Sequence, residues 1–210
     1  MEKLNLFDVD KEYIKTLQQA ESEIRGFTRV PNMDYPGQEQ KFLCGIVLII
    51  KDTDYYVPCS SYKIKKQENL LIVFDDDKIN PTKGSLRFNY MIPVPKDKIY
   101  IRVIKDEQNP SRRIFLQKQL DFMNKNRETI YHLAEKTYRK VINHYNPFLN
   151  QNSCDFQLLE KICHAYDQPK HDELNMGEME RTPFNHLLIE LRNSKELSKI
   201  SISKDYEPER

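Results

Sequence analysis

Between Pro58 and Lys66 the chain reads PCSSYKIKK, which places two serine hydroxyls, an aromatic ring and three lysines within one short segment. Two further groups that could join them, Tyr35 and Lys41, precede the apolar run FLCGIVLIIK. All five histidines, His132, His144, His164, His171 and His186, come late in the chain. A site built from the first half would therefore work without imidazole. Hydroxyls and ammonium groups suit phosphoryl chemistry, and cleavage of RNA without a metal is one form of it. That reaction needs an activated ribose 2′-OH, stabilised charge on the phosphorane and a proton for the departing 5′-oxygen. A lysine acts as base or acid only where burial or neighbouring cations draw its pKa toward neutrality. Elsewhere it stabilises developing negative charge. The same residues also have plain readings. S-S-x-K is common turn chemistry followed by a solvated lysine. Lys63, Lys65 and Lys66 alternate as an exposed strand face would, Tyr35 could cover a core, and Lys41 could be an edge residue. Spacing alone leaves the choice open.

The elements that would position these groups follow from periodicity. Leu4, Leu6 and Val9 suggest a short opening strand, and Asp10 is a good N-cap for a helix from Lys11. Pro31, Pro36 and Gly37 make the stretch from Gly26 to Gln40 irregular. Phe42–Lys51 is β-rich and apolar on both faces, as a central buried strand is. DYYVPC (54–59) reads as its hairpin partner, and LLIVFD (70–75), SLRFNY (85–90) and KIYIRVI (98–104) as further strands. Five or six strands at short spacing favour a curled antiparallel sheet or small barrel over a parallel sheet. The pattern then turns helical. One long segment runs from a cap at Ser111 to about Asn143, and a shorter one covers 153–166. The fold class is α+β, with residues 1–168 as one domain. Residues 169–210 read as an extension carrying one weak amphipathic segment (182–193).

Composition is that of an ordinary soluble domain on the polar side, with 39% hydrophobic and 31% charged residues and a net charge of +1. The last 42 residues carry a slight negative excess, leaving the body weakly basic, which permits RNA binding and proves nothing. Cys44, Cys59, Cys154 and Cys163 form neither a C-x-x-C pair nor a zinc-site spacing. No metal or cofactor is expected. MEKLNLFDVD lacks the order of a signal peptide, and the longest apolar run is too short to span a bilayer. A cytoplasmic protein with reduced thiols and no membrane contact is the expectation.

Five blocks in order, the first of them in two pieces, carry a more specific signal. V-P-N-x-x-Y (Val30–Tyr35) is followed by K-F-L-C-G-I-V-L (41–48). Y-x-V-P-x-S-S-x-K then spans Tyr55–Lys63, and L-R-F-x-x-M-I-P-V spans 86–94. L-Q-K-Q-x-x-F (116–122) and C-D-F-x-L-L-E (154–160) close the series. Together they resemble the ToxN/AbiQ toxins of type III toxin–antitoxin systems over roughly residues 4–166. The resemblance implies a fold like that of the MazF/Kid ribonucleases, a compact, strongly bent antiparallel sheet with flanking helices. It implies an endoribonuclease that needs no metal and leaves 2′,3′-cyclic phosphate ends. Its implied partners are target RNA and an antitoxin RNA, a pseudoknot processed from a tandem repeat array, that alternates with the toxin in a cyclic assembly. Carried over by motif, the site residues are Tyr35, Lys41, Ser60, Ser61 and Lys63. Ser60 stands where Thr is common in the family, and the interval from Tyr35 to Lys41 is longer than the family pattern.

Ser61 takes the central role in this reading, orienting or activating the 2′-OH. Lys41 or Lys63 stabilises the phosphorane, and Ser60 and Tyr35 hold phosphate and nucleotide. Lys65, Lys66, Lys83, Arg87, Arg112, Arg113 and Lys118 are the expected phosphate contacts, with Tyr62 or Phe88 to stack a base. Two other readings stand beside it. One is a non-catalytic RNA-binding module, and the other a MazF-type ribonuclease restrained by a protein antitoxin.

Overall fold

A computed structural model describes residues 3–33, 41–167 and 189–190. The first strand, β1 (Asn5–Val9), runs into helix α1 (Lys11–Arg25). The Asp10 side chain accepts from the Tyr13 N–H at 2.8 Å, and Gly26 ends the helix at φ +83°. That left-handed conformation costs glycine nothing. There follow β2 (Leu43–Ile50), β3 (Thr53–Ser60), β4 (Asn69–Val73), β5 (Thr82–Arg87), β6 (Ile92–Pro93) and β7 (Ile99–Ile101). All pairings are antiparallel, in the order β4-β5-β3-β2-β1-β7.

The bend arises in β3. Its last residues pair with β5 (Cys59 with Leu86, Ser60 with Ser85), whereas its first half pairs with β6 (Tyr55 with Pro93, Tyr56 with Ile92). One strand edge thus serves two partners that diverge. Ser60, which ends β3, lies on the β5 side of that divide.

The long helical stretch after the sheet is divided into α2 (Pro110–Lys125) and α3 (Arg127–Ile142). Asn126 stands between them, its Nδ2 donating to the Phe122 carbonyl at 2.8 Å. The N-cap of α2 is Asn109 rather than Ser111, because Pro110 already fits the first helical position. Asn146 accepts from the Phe148 and Leu149 N–H groups and starts a further short helix, α4 (Pro147–Gln151). The final helix is α5 (Phe156–Asp167). The amphipathic segment expected at 182–193 lies outside the described residues except for Ile189 and Glu190, which are helical.

Tyr55, Tyr138 and Phe156 form the aromatic centre that locks α3 and α5 onto β3, with ring centroids 5.6–5.8 Å apart. Both tyrosine hydroxyls donate to Glu160 Oε1, at 2.8 and 2.7 Å. Buried Tyr13 donates to the Pro93 carbonyl at 2.8 Å and ties α1 to β6. Each large polar ring is buried with its hydroxyl satisfied, as a low-dielectric interior demands.

Candidate active site

The site is assembled by register. Leu43 faces Pro58 and Cys44 faces Val57, and the Cys59 N–H donates to the Phe42 carbonyl at 3.1 Å. Continuing that pairing sets Lys41 opposite Ser60, and Ser60 is in turn paired with Ser85 of β5. Directly opposed residues share a face with their Cβ atoms about 5 Å apart. Lys41 and Ser60 therefore come to the same end of the sheet, next to the Phe42–Cys59 bond. The Lys41 N–H bonds the Met33 carbonyl at 3.1 Å, which joins this end to the segment leading toward Tyr35. Tyr35 itself lies outside the described residues.

Beyond Ser60 the turn is held by its backbone. Ser60 Oγ accepts from the Tyr62 N–H at 3.2 Å, and the buried Ser85 hydroxyl donates to the Tyr62 carbonyl at 2.7 Å. Gly84 lies against the Ser60 carbonyl so closely that a Cβ there would collide with it. Ser61 and Lys63 are exposed, and among the described residues neither side chain has a hydrogen-bond or ion-pair partner. The turn thus fixes the backbone at Ser61 and leaves its hydroxyl, with the Lys63 ammonium, open to a substrate. Cys59, just before the turn, is fully enclosed. Its thiol is pushed well above its ordinary value, mainly by burial and further by Cys44, against a lowering from Arg102. That thiol is no nucleophile at neutral pH.

The phosphate-contact residues divide into groups. Arg87 and Tyr62 stand beside the turn together, the guanidinium 5.0 Å from the Tyr62 ring centroid and 4.1 Å from that of Tyr90. Lys66 is exposed in the next loop, while the Lys65 ammonium is bound to the Asn69 carbonyl. Buried Asn69 also accepts from the Lys66 N–H at 2.8 Å and donates to the Ile64 carbonyl at 2.9 Å, which makes this a closed loop. Lys83 and Lys118 form another cluster, each paired with an acid (Asp77 and Asp76) over the Phe74 ring. Lys83 holds the Asp77 carboxyl down to about 2. Arg112 is paired with Glu107 at 2.9 Å, and Arg113 is exposed on α2. Phe88 corrects the sequence reading. It is fully buried in the short turn after β5, so its ring belongs to the core and no base can stack on it.

Among the described histidines, His164 meets Thr53 at 3.2 Å. Thr53 begins β3 and Ser60 ends it, roughly 23 Å away at the usual strand rise. No group of three His, Cys, Asp or Glu side chains that could hold a metal ion occurs among the described residues. No described helix is long and apolar enough to cross a membrane.

One supporting residue escaped the sequence reading. Glu21 of α1 is fully buried and takes five donors. Oε1 accepts from Arg25 Nη1 and the Asp155 N–H, both at 2.7 Å. Oε2 accepts from Thr28 Oγ1 at 2.8 Å and from the Arg29 and Val30 N–H groups at 2.5 and 3.2 Å. It anchors the start of the segment that reaches Met33 and, through it, Lys41. A Glu almost three turns into an amphipathic helix reads as solvated, so only its position one turn after buried Leu17 hinted otherwise.

Comparison with known proteins agrees with this geometry. The model of the family Toxin ToxN, type III toxin–antitoxin system, matches residues 5–164. Endoribonuclease AbiQ of Lactococcus lactis subsp. lactis is 31% identical over 79% of this chain and 90% of its own length. Endoribonuclease ToxN of Bacillus thuringiensis subsp. kurstaki is 31% identical over 76% of this chain and 82% of its own. Among solved structures, a type III toxin inhibited selectively by a non-coding RNA pseudoknot superposes with a TM-score of 0.69 at 27% identity, over 80% of this chain and 99% of that one. The lactococcal anti-phage endoribonuclease AbiQ gives 0.65 at 28%, over 79% and 98%. The bent sheet, the family match along the core and the likeness to two endoribonucleases support the type III endoribonuclease reading over the protein-antitoxin and binding-module readings. The chain belongs to the ToxN family of type III toxin–antitoxin systems, as an endoribonuclease toxin.

Proposed function

We propose that this toxin cuts RNA at the open end of β2 and β3, without a metal, by attack of the ribose 2′-oxygen on the adjacent phosphorus. The 2′-oxygen–phosphorus bond forms, the bond from phosphorus to the 5′-oxygen breaks, and the products are a 2′,3′-cyclic phosphate and a 5′-hydroxyl. Ser61 orients or activates the 2′-OH. Lys41 and Lys63 stabilise the charged phosphorane, and one of them moves the proton to the leaving 5′-oxygen. Ser60 and Tyr35 hold the phosphate and nucleotide. The observation that supports this reading is the bond from the Cys59 N–H to the Phe42 carbonyl, which brings Lys41 and Ser60 to one end of the sheet, followed by a braced turn with Ser61 and Lys63 exposed. Arg87, Tyr62 and Lys66 extend the same surface toward the rest of the strand.

By the same reading the chain is restrained by an antitoxin RNA pseudoknot cut from a repeat array, with toxin and RNA alternating in a closed assembly. Its targets are cellular and phage transcripts, and it acts in the cytoplasm in phage defence.

The test is incubation of the purified protein with RNA in excess EDTA, with the new ends mapped, alongside Ser61→Ala. Cyclic phosphate ends that vanish in the variant support the mechanism. Cleavage that stops in EDTA, or a fully active Ser61→Ala protein, refutes it.

A further inference from the structure

At the turn between α3 and α4 two large aromatic side chains stand almost free of the protein, Tyr145 at 74% and Phe148 at 75% exposure. Three residues apart, they flank a cavity of about 280 Å³ that reaches Lys66 and Glu68 on one side and Lys140 and Asn89 on the other. The Lys140 ammonium lies 5.6 Å from the Tyr145 ring centroid. Neither ring serves the core, and exposing both costs apolar surface that a free-standing fold would cover. The pairing of flat rings with lysines is how proteins hold single-stranded nucleic acid, bases on the rings and phosphates on the cations. Asn89 donates to the Asn152 carbonyl at 2.5 Å, and Asn152 to the Phe148 carbonyl at 2.9 Å, so the amide side chains brace the floor beneath Phe148.

The cavity is joined to the cleavage end by chain. Lys66 and Glu68 belong to the loop that Asn69 closes, and that loop begins directly after Ser61 and Lys63. The Phe88 N–H, three residues beyond Ser85, the β5 partner of Ser60, bonds the Glu68 carbonyl at 2.9 Å. Lys66 thus lies on the loop that links Ser61 in sequence to the cavity. Glu68 is the one acid facing the cavity, against two lysines.

We infer that Tyr145 and Phe148, with Lys66 and Lys140, form a second RNA subsite that stacks unpaired bases of the substrate several nucleotides from the cleaved bond. This inference rests on RNA cleavage at Ser61. It goes beyond it in giving the enzyme a preference for single-stranded RNA long enough to span both places. A face made for a protein partner would also expose aromatic rings. It would not need lysines around them or a loop continuous with the cleavage turn.

The experiment compares two RNA oligonucleotides, a minimal one covering only the mapped cleavage site and one extended on both sides. The wild-type protein should favour the extended RNA in kcat/KM. In Tyr145→Ala/Phe148→Ala that advantage should fall about tenfold or more, since stacking of each base is worth a comparable factor. Phe148→Trp, which keeps a stacking face, should retain it. Lys66→Gln should lower the slope of log KM against log salt by about 0.7, the share of one single-strand phosphate contact. An extended-RNA advantage unchanged in the double alanine variant overturns the subsite and leaves cleavage at Ser61 standing. A wild-type protein that cuts neither RNA overturns both. Because both rings are exposed, thermal melting should match the wild type, and a folded, melting-matched variant makes either result decisive.

Discussion

Two polar constellations of this toxin are built on opposite plans. Around Glu21 a carboxylate sits in the interior with every donor it needs, five of them, from three separate stretches of chain. Arg25 is equally occupied, donating also to the Ser153 and Asn150 carbonyls at 2.8 and 2.9 Å. At the Ser60–Lys63 turn the backbone is satisfied while the Ser61 and Lys63 side chains are left to solvent. A buried charge must be paired, because desolvation is costly. An exposed hydroxyl and ammonium can stay unpaired at little cost and remain available to a phosphate. Satisfaction marks the scaffold, and the proposed site is the place where side chains are left without it.

The contrast makes the two regions fail differently. Ser61→Ala should lower cleavage by at least about a hundredfold while melting as the wild type does, read by end-mapped RNA cleavage beside calorimetry. A large drop in melting temperature would place Ser61 in the scaffold instead. Glu21→Ala should do the reverse, costing about 3–5 kcal/mol of stability because Arg25 is left buried without its carboxylate. Chemical denaturation would measure it, and a loss below about 1 kcal/mol would mean that water replaces the pairing. Gly84→Ala lies between the two, since its methyl must displace the Ser60 carbonyl. It should cost about 1–3 kcal/mol and slow cleavage as well, so a variant that loses stability alone would show that the turn relaxes without moving Ser61.

Smaller effects should follow from titration and reactivity. Burial pushes the Tyr56 hydroxyl up to about 12. The folded protein then holds this proton more tightly than the unfolded chain, whose tyrosine has a pKa of about 10. Its contribution to stability is full below about pH 10 and is lost as the pH rises toward 12. Tyr13, Tyr55 and Tyr138 are raised in the same direction, chiefly by burial. Alkaline denaturation followed by tyrosine absorbance should therefore show these rings ionising with unfolding rather than before it. Cys44, Cys59 and Cys154 are likewise raised by burial. Thiol reagents should label them only after unfolding, and rapid labelling of the native protein would show an opening that the static core does not.

Periodicity and caps were enough for the order of elements. The β2–β3 hairpin, the Asp10 cap and the helical second half are local consequences of apolar spacing and capping chemistry. The motif blocks singled out the candidate residues of the turn, since Ser60, Ser61 and Lys63 lie within four positions of one another. Pairing between distant segments was not written there. Leu43 opposite Pro58, which brings Lys41 toward Ser60, and Ser60 beside Ser85 depend on register, which the chain settles by burying one face of the whole sheet at once.

Burial was the other thing composition could not supply. Phe88 and Tyr62 are both aromatic residues at strand ends, yet one is sealed in the core and the other stacks on Arg87 near the surface. Glu21 looked like one more charge on a solvated helix until α1 was packed against the turn preceding α5 and the 28–30 segment. Lys83 and Lys118 looked like free phosphate ligands until folding brought Asp77 and Asp76 to them. Residue type and spacing determined the local elements and the chemistry on offer, because both act over a few neighbouring positions. Which of those groups are spent on holding the fold, and which are left for RNA, was decided by contacts between segments many residues apart, where desolvation requires a partner for every buried charge.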